Sequence, residues 1–197
     1  MKPQMQTVHD ASLVSHYVTD AFYGELVEAF RDWQRDDRAV LDSGERERFR
    51  ALVEREARLL DQLDFDGWLS MYSPECIYWV PATPEGGDPR REIAISFDDR
   101  RRMDDRIYRL RTGYAWSQAP ASRTVRMISN VEVFGAAAKR MVRSNFLISE
   151  FRPDGVRFLS GWCGHRFAER SGRWEIEVRQ VNLIDCDQNL RNPSIVL

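Results

Sequence analysis

The chain has 197 residues, 43% hydrophobic and 30% charged, with a formal net charge of −2. That length allows one domain plus an extension around a core of ordinary size, in the range of soluble globular proteins. The charge favours neither nucleic acid nor an anionic membrane, and the longest apolar runs are too short to cross a bilayer.

The start, MKPQMQTVHD, lacks the basic and apolar stretches of a signal peptide. Cys76, Cys163 and Cys186 are scattered and odd in number. This argues against a disulfide framework and for a reducing cytoplasm, the expected compartment.

Residues 1–45 read as a helical extension. Leu13, Tyr17, Phe22, Leu26, Phe30 and Trp33 recur near helical spacing until Asp42-Ser43-Gly44 breaks the pattern. A face this aromatic packs either on its own domain or on a neighbouring subunit. A second helix is predicted over 45–63, with Ser43 as N-cap and an apolar stripe of Phe49, Leu52, Val53, Ala57, Leu60 and Leu63. A third covers 65–72, turning Trp68, Leu69 and Tyr72 inward, and Ser73-Pro74 ends it.

The period then changes to two, so 76–81 (CIYWVP) reads as a strand and the Gly- and Pro-rich 82–92 as a loop. The next helix is expected over 98–111, capped by Ser96 or Asp98, with a narrow stripe of Met103, Ile107 and Leu110 and a left-handed stop at Gly113. Four long strands follow, over 123–134, 139–151, 156–169 and 173–184. Short turns separate them, which predicts an antiparallel meander. The alternation is clearest at Trp174, Ile176 and Val178. Helices followed by a bent sheet give an α+β cone.

The chemistry-bearing residues are sparse. His9, His16 and His165 form no His-x-x-x-His, and no Cys-x-x-Cys is present, so no metal site is expected. Cys163 and His165 share a strand face, but no orienting third group or oxyanion signature accompanies them. The acidic pairs Asp98-Asp99 and Asp104-Asp105 read as helix ion pairs with Arg102, Arg101 and Arg109. Residues 95–131 are nonetheless unusual. They are rich in Arg, have no Lys, and place Tyr114, Trp116 and Pro120 in an aromatic turn. Arg, Trp and Tyr are the residues that dominate interface hot spots.

At these residues the chain resembles the small (beta) subunit of Rieske-type aromatic-ring-hydroxylating dioxygenases. The matching pieces are Ile95-Ser96, Asp98-Asp99-Arg100, Arg106, Arg109-Leu110, Thr112-Gly113, Ala115-Trp116, Pro120, Ser122-Arg123-Thr124, Arg126 and Ser129-Asn130-Val131. The stretch 56–80 resembles the family's first helices and first strand.

The resemblance covers about residues 46–197, which sets the domain apart from the 1–45 extension. It implies a cone-shaped fold similar to nuclear transport factor 2, with N-terminal helices packed on a curved antiparallel or mixed sheet. It also implies a non-catalytic structural subunit, self-associating as a trimer within an α3β3 hexamer. The Rieske [2Fe–2S] cluster and mononuclear iron would sit in the large (alpha) subunit, with NAD(P)H used by a reductase. No catalytic, cofactor-binding or metal residue is expected in this chain.

Candidate subunit-interface residues are Asp98, Asp99, Arg100, Arg106, Arg109, Trp116, Arg123 and Asn130. Two departures from the family stand out: the long 1–45 segment, and Phe97 where Tyr is frequent. The rival reading is a free-standing cone-fold isomerase or dehydratase, using His165, Asp99 or Tyr78 as acid–base groups. A small-molecule-binding module is a third.

Overall fold

The computed structural model describes residues 18–84, 86–136, 138–190 and 192–197. His9, Leu13, His16 and Tyr17 lie outside the described residues. Four helices, α1 (Asp20–Ala29), α2 (Ser43–Asp61), α3 (Phe65–Leu69) and α4 (Arg100–Thr112), accompany six strands. The strands are β1 (Tyr72–Pro81), β2 (Ala94–Asp99), β3 (Arg123–Ala136), β4 (Lys139–Arg152), β5 (Gly155–Arg170) and β6 (Arg173–Leu183). They form one sheet in the order β2-β1-β6-β5-β4-β3. The predicted meander over β3–β6 is present, and β1 closes on β6 in parallel, so the sheet is mixed.

The inner face of the sheet holds the main core. Phe49, Val53 and Leu60 of α2 and Trp68 of α3 pack against Tyr78, Val142, Phe146, Phe167 and Val181. The outer face carries a second cluster, in which Val18, Phe22 and Leu26 cover Ile77, Trp79 and Val178. Trp33 then lies against Phe134 and Met141. The described part of the stripe, Phe22, Leu26 and Trp33 with Phe30 half-buried beside them, therefore packs on the chain's own sheet. Gly164 of β5 makes this approach possible: a Cβ there would sit 2.9 Å from the Phe30 ring and 3.2 Å from Trp33.

Several boundaries differ from the sequence reading, for physical reasons. Asp42, not Ser43, caps α2 by accepting the Glu45 N–H at 2.7 Å. A carboxylate at this end also meets the helix dipole. The third helix stops at Leu69, and Tyr72 opens β1. Residues 94–99 form β2, paired antiparallel to β1, so the following helix starts at Arg100 and takes Asp99 as its cap. Asp98 is thus a strand residue and meets Arg106 instead of Arg102.

In β6 the register shifts opposite Arg166 and Phe167. Ile176 therefore faces the main core while Val178 faces α1, which breaks the single-face alternation expected of Trp174, Ile176 and Val178. Gly113 is left-handed as predicted, with φ of 75°.

Leu26 of α1 is fully buried against the sheet. Leu26→Ala should therefore destabilise the chain by about 2–5 kcal/mol, read as a lower denaturation midpoint at unchanged slope. A variant as stable as the parent would mean that the extension does not pack on the sheet in solution.

Candidate functional site

Glu56 occupies an apolar-stripe position of α2, seven residues after Phe49 and three after Val53, and it is buried. Its Oε1 accepts the indole N–H of Trp68 at 3.0 Å and the hydroxyl of Tyr72 at 2.8 Å. Its Oε2 lies 2.9 Å from His165 Nε2 and 3.4 Å from Arg179 Nε. Burial pushes the Glu56 carboxyl up, but the facing Arg179 guanidinium, the His165 ring and the Tyr72 hydroxyl bond outweigh it and hold the group at about 2. For Arg179, burial opposes the charge, but Glu56 with the neighbouring Cys163, Tyr72 and Tyr78 outweighs it, and the guanidinium stays protonated.

Burial raises the Cys163 thiol to about 11, which keeps it neutral and a poor nucleophile. Sequence reasoning found His165 and Cys163 here but missed Glu56 and Arg179. The available signal was a lone Glu inside an apolar helical stripe.

This interior is filled. Ile195, Val196 and Leu197 belong to the main core, and the Leu197 N–H donates to Tyr78 Oη at 3.0 Å. A space of about 80 Å³ remains at the mouth, between Leu60, Phe65, Leu110, Arg126 and Ile195. The rival's three groups do not converge. His165 and Tyr78 are inside, whereas Asp99 pairs across from outward-facing Ile77 and caps α4 by accepting the Arg102 N–H at 2.9 Å. Among the described residues, no group of three or more His, Cys, Asp or Glu could hold a metal ion. The donor set here therefore does not fit an iron centre, and no step of a reaction is assigned to this chain.

The candidate interface residues divide into two sets. Asp98 and Arg106 form a half-buried pair, with Arg106 Nη2 2.6 Å from the Asp98 carboxylate and donating to Ser96 Oγ as well. Arg100 donates to the Leu69 carbonyl at 2.8 Å, tying α4 to α3, and Asp99 is the helix cap. Arg109, Trp116, Arg123 and Asn130 are exposed. Trp116 is 84% exposed, and Tyr108 and Tyr114 beside it are also open. Arg123 stacks over Phe151 at 4.4 Å. Asn130 has φ of 50° at the bulge of β3, a backbone position that Asn tolerates well.

The outer sheet face is covered at one end only. Val125, Met127, Phe151, Val156 and Phe158 share that face across β3–β5 and are exposed, Phe158 by 66%. Contiguous apolar surface of this kind marks a contact site.

A filled α+β cone with its polar knot sealed inside and its aromatic and Arg groups outside defines a scaffold, whose working surfaces are external. A family model described as ring hydroxylating beta subunit matches residues 55–188, and the chain belongs to that family. It is 36% identical over 101 residues to the 2-halobenzoate 1,2-dioxygenase small subunit of Burkholderia cepacia; that match covers 49% of this chain and 61% of the relative. It is 33% identical over 120 residues to the benzoate 1,2-dioxygenase subunit beta of Acinetobacter baylyi, covering 58% and 71%.

The crystal structure of the benzoate 1,2-dioxygenase beta subunit from Burkholderia mallei shares the fold at TM-score 0.61 and 24% identity, over 78% of this chain and 98% of that one. A chain of a naphthalene 1,2-dioxygenase structure does so at TM-score 0.69 and 18% identity, over 91% and 95%. No helix among the described residues is long and apolar enough to cross a membrane.

Glu56 ties stability to pH. Its folded value of about 2 lies below the ordinary 4.5. Its stabilisation is therefore full above the ordinary value and is lost as pH falls toward the folded one. Glu56→Gln should cost about 3–5 kcal/mol near neutrality, because it leaves Arg179 without its counter-charge. It should also flatten the acid limb of a melting-temperature profile between those two values. An unchanged acid limb would mean that another carboxylate governs it.

Proposed function

We propose that this chain is the non-catalytic structural subunit of a multicomponent aromatic-ring-hydroxylating dioxygenase. It would support a large subunit that carries the Rieske [2Fe–2S] cluster and the mononuclear iron, with electrons from NAD(P)H arriving through a reductase. The observation that carries this reading is the family match over residues 55–188 on a cone whose interior is filled by Ile195–Leu197. Relatives named for benzoate, 2-halobenzoate and toluate support an aromatic acid as the substrate of the assembled enzyme.

Two surfaces serve the assembly. The C-terminal half of α4 and the aromatic turn, with Arg109 and Trp116, meet the large subunit. The open end of the outer sheet face, with Arg123 at its rim, meets neighbouring copies in an α3β3 hexamer. Asn130 lies at the bulge of the same strand. Asp98, Asp99, Arg100 and Arg106 act at one remove by holding α4 in place. The division follows composition: the turn is rich in hot-spot residue types, and the sheet end is apolar. The complex is assigned to the cytoplasm.

Trp116→Ala should leave the melting temperature of the isolated chain unchanged, since the ring is exposed. It should weaken assembly with the large subunit by about 2 kcal/mol, or roughly thirtyfold. Sedimentation of the mixed subunits reads this, and wild-type assembly would remove the turn from the interface.

Phe158→Glu should leave the fold intact but weaken self-association by roughly tenfold or more, about 1.4 kcal/mol, by placing a charge in an apolar contact. A concentration series in the ultracentrifuge would show it, and an unchanged association constant would sink the sheet-end contact.

A further inference from the structure

Residues 192–197 bring together parts of the molecule that are distant in sequence. Asn192 is fully buried and donates Nδ2 to Glu150 Oε1 at 2.7 Å. The Pro193 carbonyl accepts from Arg106 Nη1 at 3.4 Å. The Ser117 hydroxyl donates to Ser194 Oγ at 2.7 Å. The Val196 carbonyl accepts from Arg126, and the Leu197 N–H reaches Tyr78. Ile195, Val196 and Leu197 lie in the main core. One short segment therefore fills the cone mouth and also grips α4, β1, β3, β4 and the aromatic turn.

The turn needs that grip. Its single helical turn, Trp116–Gln118, has no side-chain cap. The Trp116 ring is exposed and cannot anchor it by burial. Ser117 is held from two sides, by Ser194 through its hydroxyl and by Arg152 through its carbonyl, while Gln118 turns toward Ser122. Arg106 reaches the segment from α4 while bound to Asp98, so α4 and the turn share one fixed support.

We infer that residues 192–197 are a strap that sets the posture of the docking face. Seated in the cone mouth, the strap presents Trp116 and Arg109 to the large subunit in one conformation, and a partner meeting an unstrapped chain must first order the turn. The inference rests on the docking reading above and adds what controls it. Four of the six Arg of α4 are ion-paired within the chain, Arg100 to Asp104, Arg101 to Asp105, Arg106 to Asp98 and Arg111 to Asp66. The docking face thus presents the exposed Arg109 with Trp116, and the matching partner surface offers a carboxylate beside a hollow that takes an indole. Ordering such a segment at the moment of binding weakens association, whereas pre-organisation strengthens it. Ser117 and Ser194 are positioning residues in this scheme.

The experiment uses the full chain with its large subunit and two readouts. Ser194→Ala keeps Ile195–Leu197 in the core and cuts only the link to the turn. Amides 113–119 of the isolated chain should exchange hydrogen several-fold faster than in the parent. Assembly should weaken several-fold, and self-association through the sheet end should not change. The double variant Ser117→Cys with Ser194→Cys, oxidised, should exchange as slowly as the parent or more slowly and should assemble at least as tightly.

Parent-like exchange and assembly in Ser194→Ala would overturn the strap, as would loss of assembly in the oxidised pair. Parent-like assembly of Trp116→Ala would instead overturn the docking face itself, and the strap's role with it. Weakened Trp116→Ala beside parent-like Ser194→Ala would overturn the strap alone.

Discussion

The Glu56 carboxylate is the point on which the cone closes. It is supplied by α2 and satisfied by Trp68 of α3, Tyr72 of β1, His165 of β5 and Arg179 of β6. An ion removed from water is tolerated only when its charge is balanced and its lone pairs are used. The carboxylate therefore fixes five elements relative to one another more strictly than apolar contact would. The same requirement settles the side on which Arg179 faces. The extra residue at Glu177 in β6 turns Arg179 toward Glu56 and Val178 toward α1.

This arrangement also engages the His, Cys, Tyr and Glu side chains inside the cone in its packing. Each group is committed to a structural partner, or is held neutral by burial, or both. The Cys163 thiol is raised and so is the Tyr78 phenol, whose oxygen accepts the Leu197 N–H. The surface offers two concentrations of unusual residues: Arg with exposed aromatics around α4 and its turn, and bare apolar side chains at one end of the outer sheet.

The outer face shows how one sheet serves two purposes. Its upper half is closed by the chain's own α1 and Trp33, with Gly164 allowing the ring of Phe30 to approach the backbone. Its lower half remains open across β3–β5. A second polar clamp, Asp61 with Arg126 and Thr124, lies at the edge of β3: Asp61 accepts both the Arg126 N–H at 2.9 Å and the Thr124 hydroxyl at 2.8 Å. A carboxylate on the Arg126 N–H blunts that stretch of the edge.

Local physics wrote much of this into the chain. The helical stripe of α2, the alternation of β1, the long strands of β3–β5 with their tight turns and the left-handed stop at Gly113 are all set by neighbours within a few residues, and the sequence by itself determined them. The family resemblance rested on residues of the same local kind, several of which prove to be a helix cap, a strand bulge and a helix start: Asp99, Asn130 and Arg100.

Tertiary structure decided the rest. Whether residues 94–99 paired as a strand depended on β1 lying beside them, and that pairing moved Asp98 from a helix ion pair to the Arg106 contact. The partners of Glu56 lie between 12 residues away, at Trp68, and 123 residues away, at Arg179, beyond any periodic signal. Residues 192–197 carry no periodic signal that marks them as core until the cone encloses them. Burial and charge balance act through space, so the knot, the strap and the division between covered and open sheet belong to the fold alone.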